Sequence, residues 1–509
     1  MQKTDLVTTE VTTEASRVEE SLDPVDPAAW EEMRALAHKM VDDMMGYLET
    51  VRERSVWQPV PRDVRAKFES PVPREGEGAE AAYRDFVRDV LPYPVGNIHP
   101  RFWGWVNGTG TPFGMLADML ASAMNPNVGG FDQSAIYVET QVLDWCKQLL
   151  GFPGGASGIL VSGGSMANFV GLAVARNSRA GFDVAREGVL AGGRQMVAYG
   201  SREMHSSIQK AVELIGVGSN FLRAIPVNGD YEIDVDALRS AISEDRARGL
   251  APFCVIGNAG TVNTGAIDDL SALAQVCEEE GLWFHVDGAF GAFAALSPPN
   301  RPRLSGMERA DSLAFDLHKW MYIPYEAGCT LVRDGELHRA AFAATGAYLS
   351  PTTRGVASGP VWFGELGVQL SRGFRALKIW LSIKEHGSEK YRRLIEQNIE
   401  QARYLAGLVE TEPELELLAP VPLNIVCFRY SAAGRGDEEL NALNRELLIR
   451  LQESGVAVPS HTVLNGRYAI RVAITNHRSR REDFDLLVNK VKEIGRSLSQ
   501  DFERTPARQ

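Results

Sequence analysis

Between residues 155 and 335, short apolar runs alternate with segments whose apolar positions recur every three or four residues. The runs at 158–161, 195–199, 253–256, 282–286, 312–315 and 329–332 read as strands. Segments between them, such as 166–177 and 267–279, read as amphipathic helices. Strand and helix in turn predict an α/β fold, with a mostly parallel sheet and helices on both faces. Ligands of such sheets bind beyond the carboxyl ends of the strands. Residues that close the runs are therefore the first places to look for chemistry.

The flanks follow other patterns. Residues 26–51 have helical spacing, with Trp30, Met33, Leu36, Met40, Met44 and Leu48 on one stripe. A proline-bearing stretch follows, then a second amphipathic segment at 79–91. This arm has no core of its own and is expected to fold against another body, such as a second subunit. An aromatic run, His99-Pro-Arg-Phe-Trp-Gly-Trp105, precedes helical patterns at 113–124 and 134–150. A long connecting helix pair is expected over 363–408. Strand-like 423–430 and 468–474 with helices at 438–454 and 482–498 suggest a small α+β domain. The expected divisions are a disordered tail at 1–25, a helical arm at 26–112, a large domain at 113–400 and a small domain at 401–509.

Composition narrows the function. The net charge of −13 argues against nucleic-acid binding, which needs clustered Lys and Arg. The five cysteines are scattered without a CxxC pair, and no HExxH occurs among the nine histidines. Neither a disulfide framework nor a metal site is expected, and a reducing cytoplasm fits best. The Thr- and Glu-rich first twenty residues lack the apolar core of a signal peptide. No uninterrupted apolar run is long enough to cross a bilayer, so no membrane association is expected.

Two runs end in groups that are costly to bury alone. Trp283-Phe-His-Val-Asp-Gly-Ala-Phe-Gly291 carries Asp287 among small residues, and Asp311-Ser-Leu-Ala-Phe-Asp-Leu-His-Lys-Trp320 carries His318 and Lys319. Pyridoxal 5'-phosphate (PLP) would partner both, taking the lysine as a Schiff base and the carboxylate at its pyridinium nitrogen. Ser162-Gly-Gly-Ser-Met-Ala-Asn168 follows a strand and opens a helix, a setting suited to a phosphate. It is not the GxGxxG of a dinucleotide site. Each feature alone has a plainer reading. Ser165 could cap an ordinary turn, Asp287 could cap the next one, and Lys319 could be a snorkelling surface residue. His205 could stack on a cofactor ring or cap a helix. Thr261, in Asn258-Ala-Gly-Thr261, offers one more strand-end hydroxyl.

In their order these residues resemble the PLP-dependent group II amino acid decarboxylases, a branch of fold type I that includes aromatic-L-amino-acid, histidine and glutamate decarboxylases. The resemblance covers residues 26–500 and rests on His-Val-Asp-x-Ala at 285–289 and His-Lys-Trp at 318–320. Met115-Leu-Ala-Asp-Met-Leu120, Met204-His-Ser-Ser207, Ser371-Arg-Gly-Phe-Arg-Ala-Leu-Lys378 and Arg471 with Asn476-His477 extend it. It implies a seven-stranded, mostly parallel sheet and a homodimer with its active sites at the subunit interface. It also implies that Lys319 carries PLP, Asp287 pairs with the ring nitrogen, and His205 and Ala289 flank the ring. Gly164, Ser165 and His318 would hold the phosphate, with Thr261 near the cofactor oxygen or the substrate carboxylate. Tyr348, in a mobile loop, would return a proton to the α-carbon. Aldehyde synthases of the family usually carry phenylalanine there, so Tyr348 favours simple decarboxylation.

This sequence departs from the family pattern in places. Asp316 stands where relatives often have Asn, and an extra anion there would be repulsive unless His318 or water screens it. Met166 replaces a commonly acidic residue, and Gly288 is unusually small. Val106, Asn107, Asn127 and Gly129 replace bulkier or more apolar residues of aromatic-specific members, while Trp103, Trp105, Phe131 and Tyr325 could still line an aromatic pocket. The expected activity is decarboxylation of an L-amino acid, with an aromatic one favoured over glutamate. An aldehyde synthase or aminotransferase on the same scaffold, or a non-catalytic dimeric scaffold, are the competing readings.

Overall fold

A seven-stranded sheet forms the centre of the computed structural model, which describes residues 21–343 and 352–504. Its order is β2 (Ser157–Val161), β8 (Gly328–Val332), β7 (Ser312–Asp316), β6 (Trp283–Asp287), β5 (Ala251–Asn258), β3 (Met196–Ser201) and β4 (Leu222–Ile225). Only β8 runs against its neighbours β2 and β7, and the remaining pairs are parallel. Every residue of β3, β6, β7 and β8 is buried, because helices cover both faces and leave no polar side to alternate with. Six strands coincide with the apolar runs. The seventh, β4, escapes such a reading because it is a four-residue edge strand with Arg223 in it, paired only to β3.

The helix Gly164–Arg179 starts directly after β2 and crosses β6 at Gly171. A Cβ at that glycine would fall 2.7 Å from His285 Cε1, so only glycine lets the helix lie this close. The long helix Arg375–Thr411 bends at Gly387 (φ 70°), which makes it the expected pair of helices. It passes through residue 400, so one rigid element joins the large and small bodies. Just before it, buried Arg372 pairs with buried Glu139 and donates to the carbonyls of Val128 and Leu160.

The small body is a five-stranded sheet in the order β1 (Phe102–Trp103), β11 (Val458–Leu464), β12 (Arg467–Ala473), β10 (Ile425–Tyr430) and β9 (Leu415–Leu417). The end of the arm thus supplies its edge strand, parallel to β11. The arm begins with the helix Pro27–Glu49, capped by Asp26 accepting from the Ala29 N–H. No residue of that helix is buried, and Trp30 is 48% exposed. All five cysteines are buried and unpaired. Among the described residues no helix is long and apolar enough to cross a membrane.

Candidate active site

The carboxyl ends of β2, β6 and β7 meet around a cavity of about 380 Å³. β2 delivers Gly163 and Gly164, and the helix that follows has no side-chain cap. Ser165 is exposed and does not cap the turn, so the first-turn N–H groups stay available to an anion. β7 ends in Asp316, and the single helical turn Leu317–Trp320 carries His318 and Lys319 into the same space. Ala289, His205 and Tyr325 also line it, together with Asn168 and Ser207. His205 is also the cap of the helix Ser206–Leu214, its Nδ1 accepting from the Ser207 N–H, so the plain and the functional placement coincide.

Asp287 closes β6 beneath this lining and is 5% exposed. Its Oδ1 accepts from the Ala289 N–H at 3.0 Å, and its Oδ2 accepts from Asn168 Nδ2 at 3.0 Å. Lys319 does not snorkel outward. Its Nζ lies 2.9 Å from Asp316 Oδ2, and the charges of both Asp316 and Asp287 act on it. Burial disfavours the ammonium, but the pull of the two carboxylates outweighs it and raises the Lys319 pKa above the ordinary lysine value. Burial lowers the pKa of His205 against the opposing charge of Asp287, and burial likewise lowers that of His318. Asp316 is screened first by Lys319, with His318 Nε2 standing 3.8 Å from the same oxygen. Lys319 is a screening group that the expectation of His318 or water leaves out. Asp316 Oδ1 is buried and has no hydrogen-bond partner among the described residues.

The aromatic lining differs from the expected one. Trp103 is not in the cavity. It is 1% exposed, stacks on Phe484 at 5.0 Å and donates to Ser479 Oγ, because β1 belongs to the small sheet. Phe131 packs on Trp362 instead of on the cavity wall. Trp105 stands 57% exposed and Val106 is half-buried, and neither lines the cavity. Gly108 brings that segment over His318, where a Cβ would overlap the His318 carbonyl oxygen. Tyr325 ties it down by donating to Asn107 Oδ1 and accepting from the Gly108 N–H. Thr261 is buried in its own loop, bonded to Thr264 Oγ1 and the Ala266 N–H, and does not line the cavity. Tyr348 lies outside the described residues. Gly288 is small because a Cβ there would come 2.6 Å from Ala292 Cβ.

Asn168, Ser207, His285 and Ser312 form a polar wall behind Asp287; all four lie inside the motifs, which give none of them a role. Alternation adds to that signal, since Trp283, His285 and Asp287 share one face of β6.

The donor set fits PLP. A lysine amine, an uncapped helix start, an imidazole and a fixed carboxylate converge on one cavity, and a buried carboxylate oxygen there lacks a partner. Residues 61–431 match the pyridoxal-dependent decarboxylase conserved domain. The chain is 34% identical to the aromatic-L-amino-acid decarboxylase of Bacillus atrophaeus over 473 residues, 92% of this chain and 96% of that protein. Oryza sativa TDC, crystallised with PLP and tryptamine, superposes with a TM-score of 0.86 at 27% identity, covering 94% of this chain and all of that one. Rhodiola rosea 4-hydroxyphenylacetaldehyde synthase gives 0.83 at 26% identity, covering 93% and 99%. With PLP as its cofactor, the chain belongs to the pyridoxal-dependent decarboxylase family and is a carboxy-lyase of amino acids.

Proposed function

We propose that the protein converts an aromatic L-amino acid to its amine and CO2, as a homodimer. The observation that carries the site assignment is that Lys319, His205, Ala289 and the uncapped helix start line a single cavity, with Asp287 held directly behind it by Asn168 and the Ala289 N–H. Similarity to the Bacillus atrophaeus enzyme and to Oryza sativa TDC supports the aromatic substrate.

PLP, when bound, supplies the electron sink that lets the α-carboxylate leave as CO2. Lys319 Nζ would hold the cofactor aldehyde and later free the product by returning to it. Asp287 would face the ring nitrogen, and His205 and Ala289 the two sides of the ring. The uncapped helix start at Gly164 and Ser165, with His318, would hold the phosphate. Thr261, enclosed in its loop, would act only by shaping the wall. Tyr348 would return the proton to the α-carbon, which favours amine over the aldehyde made by relatives such as the Rhodiola rosea synthase. Tyr325 lines the cavity and would meet the substrate side chain, with Trp105 and Val106 on the segment that its hydroxyl ties down.

The unburied apolar stripe of the arm supports the dimer. A groove of about 1020 Å³ between the first helix and residues 77–84 is lined by Leu22, Met33 and Leu36. Assay of CO2 release from each of the twenty amino acids, with sedimentation of the holoenzyme, tests both parts. Release from Trp, Tyr or Phe with stoichiometric amine is expected. Release only from glutamate, or aldehyde with peroxide, would reject the substrate or the product.

A further inference from the structure

Five side chains behind Asp287 have no part in the reaction as described: Trp283, His285, Asn168, Ser312 and Ser207. Each is 3% exposed or less. Ser312 stands opposite His285 in the register of β6 with β7. The close crossing at Gly171 brings Asn168, one turn earlier on its helix, against Asp287.

The direction of this wall is set from Asp287, whose carboxylate can only accept. At the far end the indole Nε1–H of Trp283 donates to Ser312 Oγ at 2.8 Å. The Ser312 oxygen could also accept from a ring N–H. It is therefore the Asn168 amide, held by Asp287, that puts the ring proton on Nε2 and makes the Ser312 hydroxyl the donor to His285 Nδ1 at 2.7 Å. Burial pushes the His285 pKa down to about 3, so the ring is neutral and carries that one proton only. Nε2–H donates to Asn168 Oδ1 at 3.0 Å. The two hydrogens of Asn168 Nδ2 are left for Asp287 Oδ2, at 3.0 Å, and Ser207 Oγ, at 3.1 Å. Ser207 in turn donates to His205 Nδ1 through its hydroxyl at 2.8 Å and its N–H at 3.2 Å. The His205 proton therefore stands on Nε2.

We propose that Asn168 is the positioning residue of the cofactor site: its amide, held by His285 on one side and Ser207 on the other, aims one donor at Asp287. The inference rests on the reading of Asp287 as the partner of the PLP ring nitrogen. In a dry wall a carboxylate that loses a donor turns toward whatever donor remains, and its direction toward the ring is lost.

Titration of the full-length, cofactor-stripped enzyme with PLP, followed by visible absorption, gives the dissociation constant. Asn168→Leu is expected to weaken PLP at least about tenfold, the size of a hydrogen bond to a charged group. Trp283→Phe, which removes only the far donor, should cost about threefold. In an Asp287→Ala background Asn168→Leu should change nothing further, because the amide acts through that carboxylate. His285→Gln, which still offers an N–H to Asn168, should keep most of the affinity that His285→Phe loses, and this pair reads the same chain if Asn168→Leu does not fold. Equal losses from Asn168→Leu in both backgrounds, or a folded Asn168→Leu that binds PLP as the wild type does, overturn the proposal. A wild type that binds no PLP would instead remove the reading of the site beneath it.

Discussion

Two aspartates close two neighbouring strands, and their surroundings are opposite. Asp287, at the end of β6, has a hydrogen-bond donor on each oxygen. Asp316, at the end of β7, has the Lys319 ammonium on one oxygen and no hydrogen-bond partner on the other. A hydrogen-bonded carboxylate is held in direction, whereas an ion-paired one is held only while its cation stays. If Lys319 takes the cofactor aldehyde as proposed, its Nζ has to leave Asp316, whereas the donors on Asp287 can stay in place. On that reading one aspartate would receive the cofactor and the other would hold the lysine before it arrives.

Lys319→Ala presses this difference hardest. It should abolish both the visible Schiff-base band and CO2 release, with sedimentation unchanged. It also strands Asp316, a buried charge that has lost its partner, at a cost of roughly 3–5 kcal/mol in stability. Adding Asp316→Asn should recover most of that loss in thermal unfolding. A double variant no more stable than the single one would mean that Asp316 does not depend on the lysine.

Asp287→Ala comes next. Removing a charge-assisted bond to the ring nitrogen should weaken PLP about a hundredfold. Asp316→Asn should act in the opposite direction. The pull of Asp316 raises the Lys319 pKa, and only the neutral amine attacks an aldehyde. With the carboxylate neutralised, burial favours the neutral amine, so PLP capture at pH 7 should speed up about tenfold for each unit the pKa falls. The advantage should shrink as pH rises and the wild-type lysine loses its proton. Stopped-flow absorbance would check it, and a slower variant would assign Asp316 to cofactor binding instead.

Much of this site could be read from the chain. Asp287 and Lys319 stood out because a charge at the end of an unbroken apolar run has few affordable explanations. The wall behind Asp287 was present in the motifs but had no legible role, because Asn168, Ser207 and Ser312 come from separate elements, and no single sequence says which helix lies on which strand. Trp103 was misplaced for a related reason: an aromatic run shows burial but not which sheet it edges. Arg372 and Arg471 belong to further stretches that extend the resemblance, yet both hold the fold together. Arg471 donates to the carbonyls of Trp105, Val262 and Asn263, linking the Trp105 segment to the small sheet.

The smallest effect tests whether the wall behind Asp287 is uncharged. The folded pKa of His285, about 3, lies below the 6.5 of a free imidazole. Below pH 6.5 the unfolded chain binds a proton that the folded chain refuses, so stability is lost as pH falls from about 6.5 toward 3 and is unaffected well above that window. Between pH 7 and 6 the loss from this one ring is roughly 0.7 kcal/mol. His285→Gln removes the titrating group while leaving an N–H for Asn168, and should flatten the urea-unfolding free energy over that interval by the same amount, at fixed protein concentration. An unchanged slope would mean that His285 is charged in the fold. A charged ring donates from both nitrogens, so Ser312 would accept from His285 as well as from Trp283, and the wall would carry a buried positive charge two hydrogen bonds from Asp287.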